Sequence, residues 1–223
     1  MSRLGPRGAL LDLACGDPDL THIAYGRLLD VPPAARIDVS NGAVRAHPGT
    51  VDHRVYFGVD DPDAARRLLG RRGLAPEEPV GVVRAAEPMA TSATDITGID
   101  HLVFTAPGRD HALALFGATL DLDFRLEREV ADDARQLFFR ATDLVVEVIA
   151  GAGPSPGEPN RCALWGVAWR SADVQATHRR LSALGVGTSE IRVGRKPGTR
   201  VFTVHDEALA TRTLVIEAAP RAI

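Results

Sequence analysis

The feature that most constrains this chain is an order of elements that occurs twice. Ile99-Asp-His-Leu-Val-Phe-Thr105 alternates as a strand. Arg109 to Leu120 follows as a helix with Leu113, Phe116 and Leu120 on one face, and then three strands run over Asp123 to Val130, Arg135 to Arg140 and Leu144 to Ile149. Gly151-Ala-Gly-Pro-Ser-Pro-Gly-Glu-Pro159 is too rich in breakers for either element and reads as a linker. Past it the order returns: a strand over Ala163 to Arg170, a helix over Ala172 to Leu184, and strands over Thr188 to Val193, Thr199 to Val204 and Thr213 to Ala218. A period of roughly 65 residues marks an internal repeat. It predicts an α+β fold of paired βαβββ modules, residues 98–150 and 161–219 joined by 151–160, forming a curved eight-stranded sheet with helices outside and a concave cavity inside.

Residues 1–95 repeat the pattern less completely. Val51-Asp-His-Arg-Val-Tyr-Phe-Gly58 and Asp61 to Leu69 read as strand plus helix, with Pro62 suited to the first helical turn. One strand-like run follows, Val80 to Ala85, and others precede at Ala9 to Ala14, Thr21 to Tyr25 and Arg36 to Val39. This region reads as a truncated or rearranged third unit. A polar break over Glu87 to Thr97 sets it off from the repeats.

Charge and composition exclude several classes. The 223 residues carry a net charge of −3, and no basic cluster supplies the positive stripe that a phosphate backbone needs, so nucleic acid is not an expected partner. No apolar run approaches the roughly 20 residues that span a bilayer, and Met1-Ser-Arg3 does not open a signal peptide, so the expectation is a cytoplasmic protein with no membrane partner. Cys15 and Cys162 lie far apart with no CxxC, which supports neither a disulfide framework nor a thiolate zinc site. Lys196 is the only lysine, in the turn-like Gly194-Arg-Lys-Pro-Gly198, which disfavours Schiff-base chemistry. No GxSxG, GxGxxG, P-loop or HExxH occurs. The pairs Glu77-Glu78 and Asp132-Asp133 read as solvated turns.

Gly98-Ile-Asp-His-Leu-Val-Phe104, Asp143-Leu-Val-Val-Glu-Val-Ile149 and Thr213-Leu-Val-Ile-Glu-Ala218 resemble the vicinal oxygen chelate superfamily of glyoxalases, bleomycin-resistance proteins and extradiol dioxygenases. The resemblance covers residues 98 to 218 and implies a divalent metal (Zn, Ni, Mn, Co or Fe) held on the concave face. Its ligands would come from the first and last strand of each module. His101, Glu147 and Glu217 match three of those positions, and Gly166 falls on the fourth. One imidazole with two carboxylates suits a divalent ion with open positions for a substrate bearing adjacent oxygens. Glu147 or Glu217 would then move a proton, as in isomerase or lyase chemistry.

Other readings of the same residues stay open. A glycine at the fourth position fits either a water-completed metal site or a metal-free binding protein of the bleomycin-resistance type, and His101 has the plain reading of a strand histidine satisfied by backbone. An extradiol dioxygenase would need a second histidine at Gly166. His205 is a less favoured ligand from a strand end, His111 and His178 lie in helices expected outside the sheet, and His53 resembles a relic of the His101 position. Trp165 and Trp169 share the parity that faces the helices, which predicts core packing for both. The expected partner is a small-molecule substrate or ligand, with a homodimer also compatible.

Overall fold

The computed structural model describes residues 4–49, 52–85, 94–131, 134–151 and 161–217. The expected linker beyond Gly151, the Asp132-Asp133 turn and most of the break after Glu87 therefore lie outside the described residues.

The N-terminal part contains β1 (Arg7–Cys15), α1 (Pro18–Leu29), β2 (Arg36–Val39), β3 (Gly42–Pro48), β4 (Arg54–Val59), α2 (Pro62–Arg71) and β5 (Val80–Arg84). Its sheet has the order β2-β3-β1-β4-β5. β1 runs parallel to β3 and antiparallel to β4, and β4 runs parallel to β5. The region thus holds two shortened units, a βαββ and a βαβ, joined through their first strands.

Thr21 to Tyr25, expected as a strand, lies inside α1. The Asp17 side chain accepts from the amides of Asp19 and Leu20, and Pro18 occupies the first turn, so a cap and a proline outweigh a short β-like run. β3 carried no sequence expectation, although Val44 and Ala46 alternate with Arg45 and His47 along it.

The second sheet is built from β6 (Ile96–Ala106), α3 (Arg109–Ala112, continuing as a π-helix through Leu113–Thr119), β7 (Asp123–Ala131), β8 (Ala134–Arg140), β9 (Val145–Ala150), β10 (Ala163–Ser171), α4 (Val174–Ala183), β11 (Gly187–Thr188), β12 (Arg192–Val193), β13 (Arg200–His205) and β14 (Arg212–Glu217). Its order is β11-β13-β14-β10-β6-β9-β8-β7, with β12 also on β13. Each repeat places its strands as first, last, third and second, and the first strands β6 and β10 pair antiparallel. That is the local two-fold expected of paired βαβββ modules.

Two local departures have clear causes. The Leu120 amide bonds to the Leu115 carbonyl, five residues back, so the helix after Ala112 winds wider and turns Leu115, Phe116 and Leu120 inward while Leu113 is only partly covered. The strand expected over Thr188 to Val193 is split because Ser189 Oγ accepts the Thr203 amide in place of a backbone carbonyl.

One continuous apolar core joins the two sheets. Tyr25 of α1 packs edge-on against Trp169 of β10, with ring centroids 5.9 Å apart, and its hydroxyl lies 3.3 Å from Thr211 Oγ1. The Asn41 side chain bridges to β6 as a strand would, accepting from Ile99 N and donating to Ile99 O, both at 2.8 Å. Arg180 of α4 donates to the carbonyls of Arg27 and Leu28 in the last turn of α1, and binds Asp95 as well. A cation at the negative end of α1 thereby ties α1, α4 and the entrance to β6 together. No helix among the described residues is long and apolar enough to cross a membrane.

Candidate functional site

Strand parity sets two different faces on the second sheet. Leu102 and Phe104 of β6, Val146 and Val148 of β9, and Val167 and Trp169 of β10 are buried in the core under the helices. His101 and Glu147 point the other way, onto the concave face, where β6 runs parallel to β9 with His101 beside Val145 and Val103 beside Glu147. His101 Nε2 lies 3.8 Å from Glu147 Oε2, with side-chain exposures of 17% and 15%.

Two further residues complete this arrangement, and neither was singled out from sequence. His101 Nδ1 is 2.9 Å from Asp100 Oδ2. Adjacent residues of a regular strand face opposite ways, but Ala168 pairs with His101 and Trp169 with Ile99, leaving Asp100 as a bulge residue. The bulge is what lets Asp100 reach round to the ring of its own neighbour. Burial raises the Asp100 pKa, but the hydrogen bond and charge of His101, with Arg170 beside it, more than offset this and hold it below the usual carboxylate range. On the far side, Gln136 of β8 hydrogen-bonds to Glu147 Oε1. An ordered chain results: Asp100, His101, Glu147, Gln136. With Nδ1–H donated to Asp100 and Oε1 held by Gln136, Nε2 and Oε2 face each other across the sheet.

The second repeat carries the same bulge and different chemistry. Leu164 pairs with Phe104 and Gly166 with Val103, so Trp165 is the extra residue, at the position equivalent to Asp100. This corrects the expectation that Trp165 packs in the core: the residue is 40% exposed, and the Arg212 guanidinium stacks 4.5 Å from its ring centroid. Trp169 does face the helices and is fully buried. Around Gly166 the concave face continues with Ala168, Val201, Leu214 and Ile216, a small apolar cluster.

Glu217 is not brought to His101 and Glu147. Gly166 pairs with Arg212 and Ala168 with Leu214, so the register that puts Glu147 beside Val103 in the first repeat puts Leu214 beside Ala168 in the second. Glu217 lies an odd step beyond Leu214, on the helix face. There its Oε2 accepts the Val174 amide at 2.8 Å, one of the unpaired donors of the α4 N-terminus, and Arg200 Nη2 at 2.9 Å.

The fold family implies a four-ligand metal centre on this face. His101 and Glu147 stand at a separation one divalent ion could share, but Gly166 and Leu214 hold the other two positions and offer no donor. Among the described residues, His101, Glu147 and Glu217 do not form a cluster within ligand distance. The residues present therefore do not complete that centre. Gly166 itself is fixed by packing, since a Cβ there would stand 2.8 Å from the Arg212 carbonyl oxygen. Gly166→Ala is expected to destabilise the fold by about 1–3 kcal/mol through strand displacement. A denaturation midpoint equal to that of the parent protein would contradict this close approach.

Three other histidines have different surroundings. His178 bonds to Ser189 O and Thr188 Oγ1 and packs edge-on against Phe202. His205 ends β13 with its side chain exposed. His53 precedes β4 beside Ala210, and burial pushes its pKa down.

Residues 100–203 match the profile of the Glyoxalase/Bleomycin resistance protein/Dioxygenase superfamily. This part of the chain is thus similar to the vicinal oxygen chelate superfamily. No curated protein matches the chain significantly. Among solved structures, a triple variant of 4-hydroxymandelate synthase from Streptomyces coelicolor is similar at a TM-score of 0.67 and 13% identity, over 97% of this chain and 94% of that one. A xylose isomerase-like TIM barrel/4-hydroxyphenylpyruvate dioxygenase fusion protein is similar at 0.64 and 13% identity, over 100% of this chain and 51% of that one. Methylmalonyl-CoA epimerase from Mycobacterium tuberculosis is similar at 0.47 and 22% identity, over 60% and 94%. At these identities the likeness concerns the fold. The first of these matches includes the N-terminal sheet, so the two sheets of this chain form one architecture shared with that structure.

Proposed function

We propose that the concave face binds a small substrate with adjacent oxygen atoms and moves a proton on it, in isomerase or lyase chemistry. The observation that carries this reading is the chain from Asp100 through His101 and Glu147 to Gln136. Asp100 fixes the imidazole tautomer, and Nε2 takes or returns a proton at the substrate. Gln136 orients Glu147 so that Oε2 serves as the second proton-transfer group, on the far side of the 3.8 Å gap. The opposite half of the face supplies position rather than chemistry: Arg212, steadied on Trp165, takes an acidic group, and Ala168, Leu214 and Ile216 cover the carbon skeleton. The face provides only two of the four donors such a metal centre needs, so these side chains carry the proton transfer themselves. The same gap at Gly166 counts against a dioxygenase.

Proton exchange in D2O tests the reading. A panel of small 2-oxo acids and acyl thioesters is incubated with the protein, and loss of the α-proton signal is followed by NMR. Exchange well above the protein-free rate is expected for one member or more. Binding without exchange would instead favour a sequestering protein of the bleomycin-resistance type, for which Trp165 and the apolar cluster are the supporting observations.

A further inference from the structure

A second group of metal-type side chains lies away from the concave face, where the N-terminal sheet meets both repeats. Glu78 sits in the loop between α2 and β5, His111 in α3, and Cys162 immediately before β10. One donor atom from each lies within 4.8 Å of the other two, the only such trio among the described residues. His111 Nε2 is 2.6 Å from Glu78 Oε1, and the Cys162 amide donates to Glu78 Oε2 at 3.3 Å. Glu78, expected in a solvated turn, is only 6% exposed; Cys162 is buried, and His111 keeps 30% of its side chain exposed.

The frame around Glu78 is built from its neighbours. Arg54 donates to Pro76 O at 2.9 Å, Arg161 to Glu77 O at 3.2 Å, and the Val55 amide to Pro79 O at 2.8 Å. Pro76 and Pro79 restrict the backbone on both sides. The carboxylate is thus aimed inward by a loop anchored at three carbonyls. A buried carboxylate is unfavourable unless positive charge meets it. Here its side-chain contacts are one imidazole and a thiol, and no Lys or Arg side chain bonds to it among the described residues.

We infer that Glu78, His111 and Cys162 bind a divalent ion of the zinc type, pinning the N-terminal sheet to both repeats. Thiolate, imidazole and carboxylate are the ligands zinc takes, at about 2.0–2.3 Å, which sets donors roughly 3.4 Å apart around a tetrahedral ion. The Glu78–His111 contact opens by less than ~1 Å to admit it. The exposed side of His111 leaves the fourth position to water. On uptake the Cys162 S–H bond breaks, its proton leaves to solvent, and an Sγ–metal bond forms, with no change in oxidation state. The site shares no residue with the concave face and stands independently of the function proposed there.

Cobalt titration of the full chain, stripped of metal beforehand, tests the inference. The expected result is a thiolate-to-cobalt charge-transfer band that saturates at one equivalent and is displaced by Zn2+. Cys162→Ser should abolish the band and weaken binding at least ~10-fold, whereas Cys15→Ser and His101→Ala should retain it. Zn2+ should also raise the melting temperature of the parent protein and not that of His111→Gln. No band at saturating cobalt, or a band that survives Cys162→Ser, overturns the site. If Cys162→Ser does not fold, an unchanged cobalt affinity in His111→Gln overturns it instead.

Discussion

Glu147→Gln is expected to slow substrate proton exchange by about 10²–10⁴-fold while the protein melts within a few degrees of the parent. Glutamine has the same shape, and its amide oxygen still accepts from Gln136, so β8 and β9 keep their cross-strand contact. What disappears is the ability of Oε2 to take a proton opposite His101 Nε2. The loss should therefore appear in kcat far more than in KM. Asp100→Asn should produce a smaller loss of the same kind, because the ring remains in place while its tautomer is no longer fixed. Retention of more than about half the parent rate in Glu147→Gln would remove Glu147 from the reaction.

Trp169→Ala is expected to cost about 3–5 kcal/mol of stability, among the largest effects of any single truncation in this chain. The indole is fully buried in the shared core and meets Tyr25 of α1 edge-on. Alanine would leave a cavity where the two sheets join, a place that cannot collapse without shifting α1 away from β10. Trp169→Phe should cost much less than the lost area suggests. The indole Nε1 is buried without a hydrogen-bond partner among the described residues, and removing an unsatisfied donor recovers about 1–3 kcal/mol. Urea denaturation checks both variants: a lower midpoint at an unchanged slope is expected for the alanine variant. A midpoint shift worth less than about 1 kcal/mol would mean that this packing does not hold the sheets together.

Local signals carried much of the fold. The order of strands and helices in the two repeats follows from apolar alternation, aspartate caps and breakers, all of which act over a few residues. The strand at Ile99 to Thr105, the last strands of both repeats and the helix after Pro62 were legible for that reason. His101 and Glu147 were legible as a pair through the superfamily resemblance, which matches both to ligand positions of the first module. The sequence, read by itself, thus determined the paired modules, the superfamily resemblance and half of the concave site.

Tertiary pairing decided the rest. A bulge exists only relative to a partner strand, so nothing in the run Gly98 to Phe104 says that Asp100 turns toward His101, and nothing in Leu164 to Trp169 says that Trp165 leaves the core. Register is likewise a property of two strands: Thr213-Leu-Val-Ile-Glu217 looks like Asp143-Leu-Val-Val-Glu147, yet pairing with β10 places Leu214 where the first repeat has glutamate and turns Glu217 to the helix α4. Glu78, His111 and Cys162 are separated by 33 and more residues along the chain and meet only because three elements converge on one loop. Periodicity measures what a residue does within its own element. Facing, register and convergence depend on the neighbouring element, and these are what divide the concave sheet into a half that carries His101 and Glu147 and an apolar half.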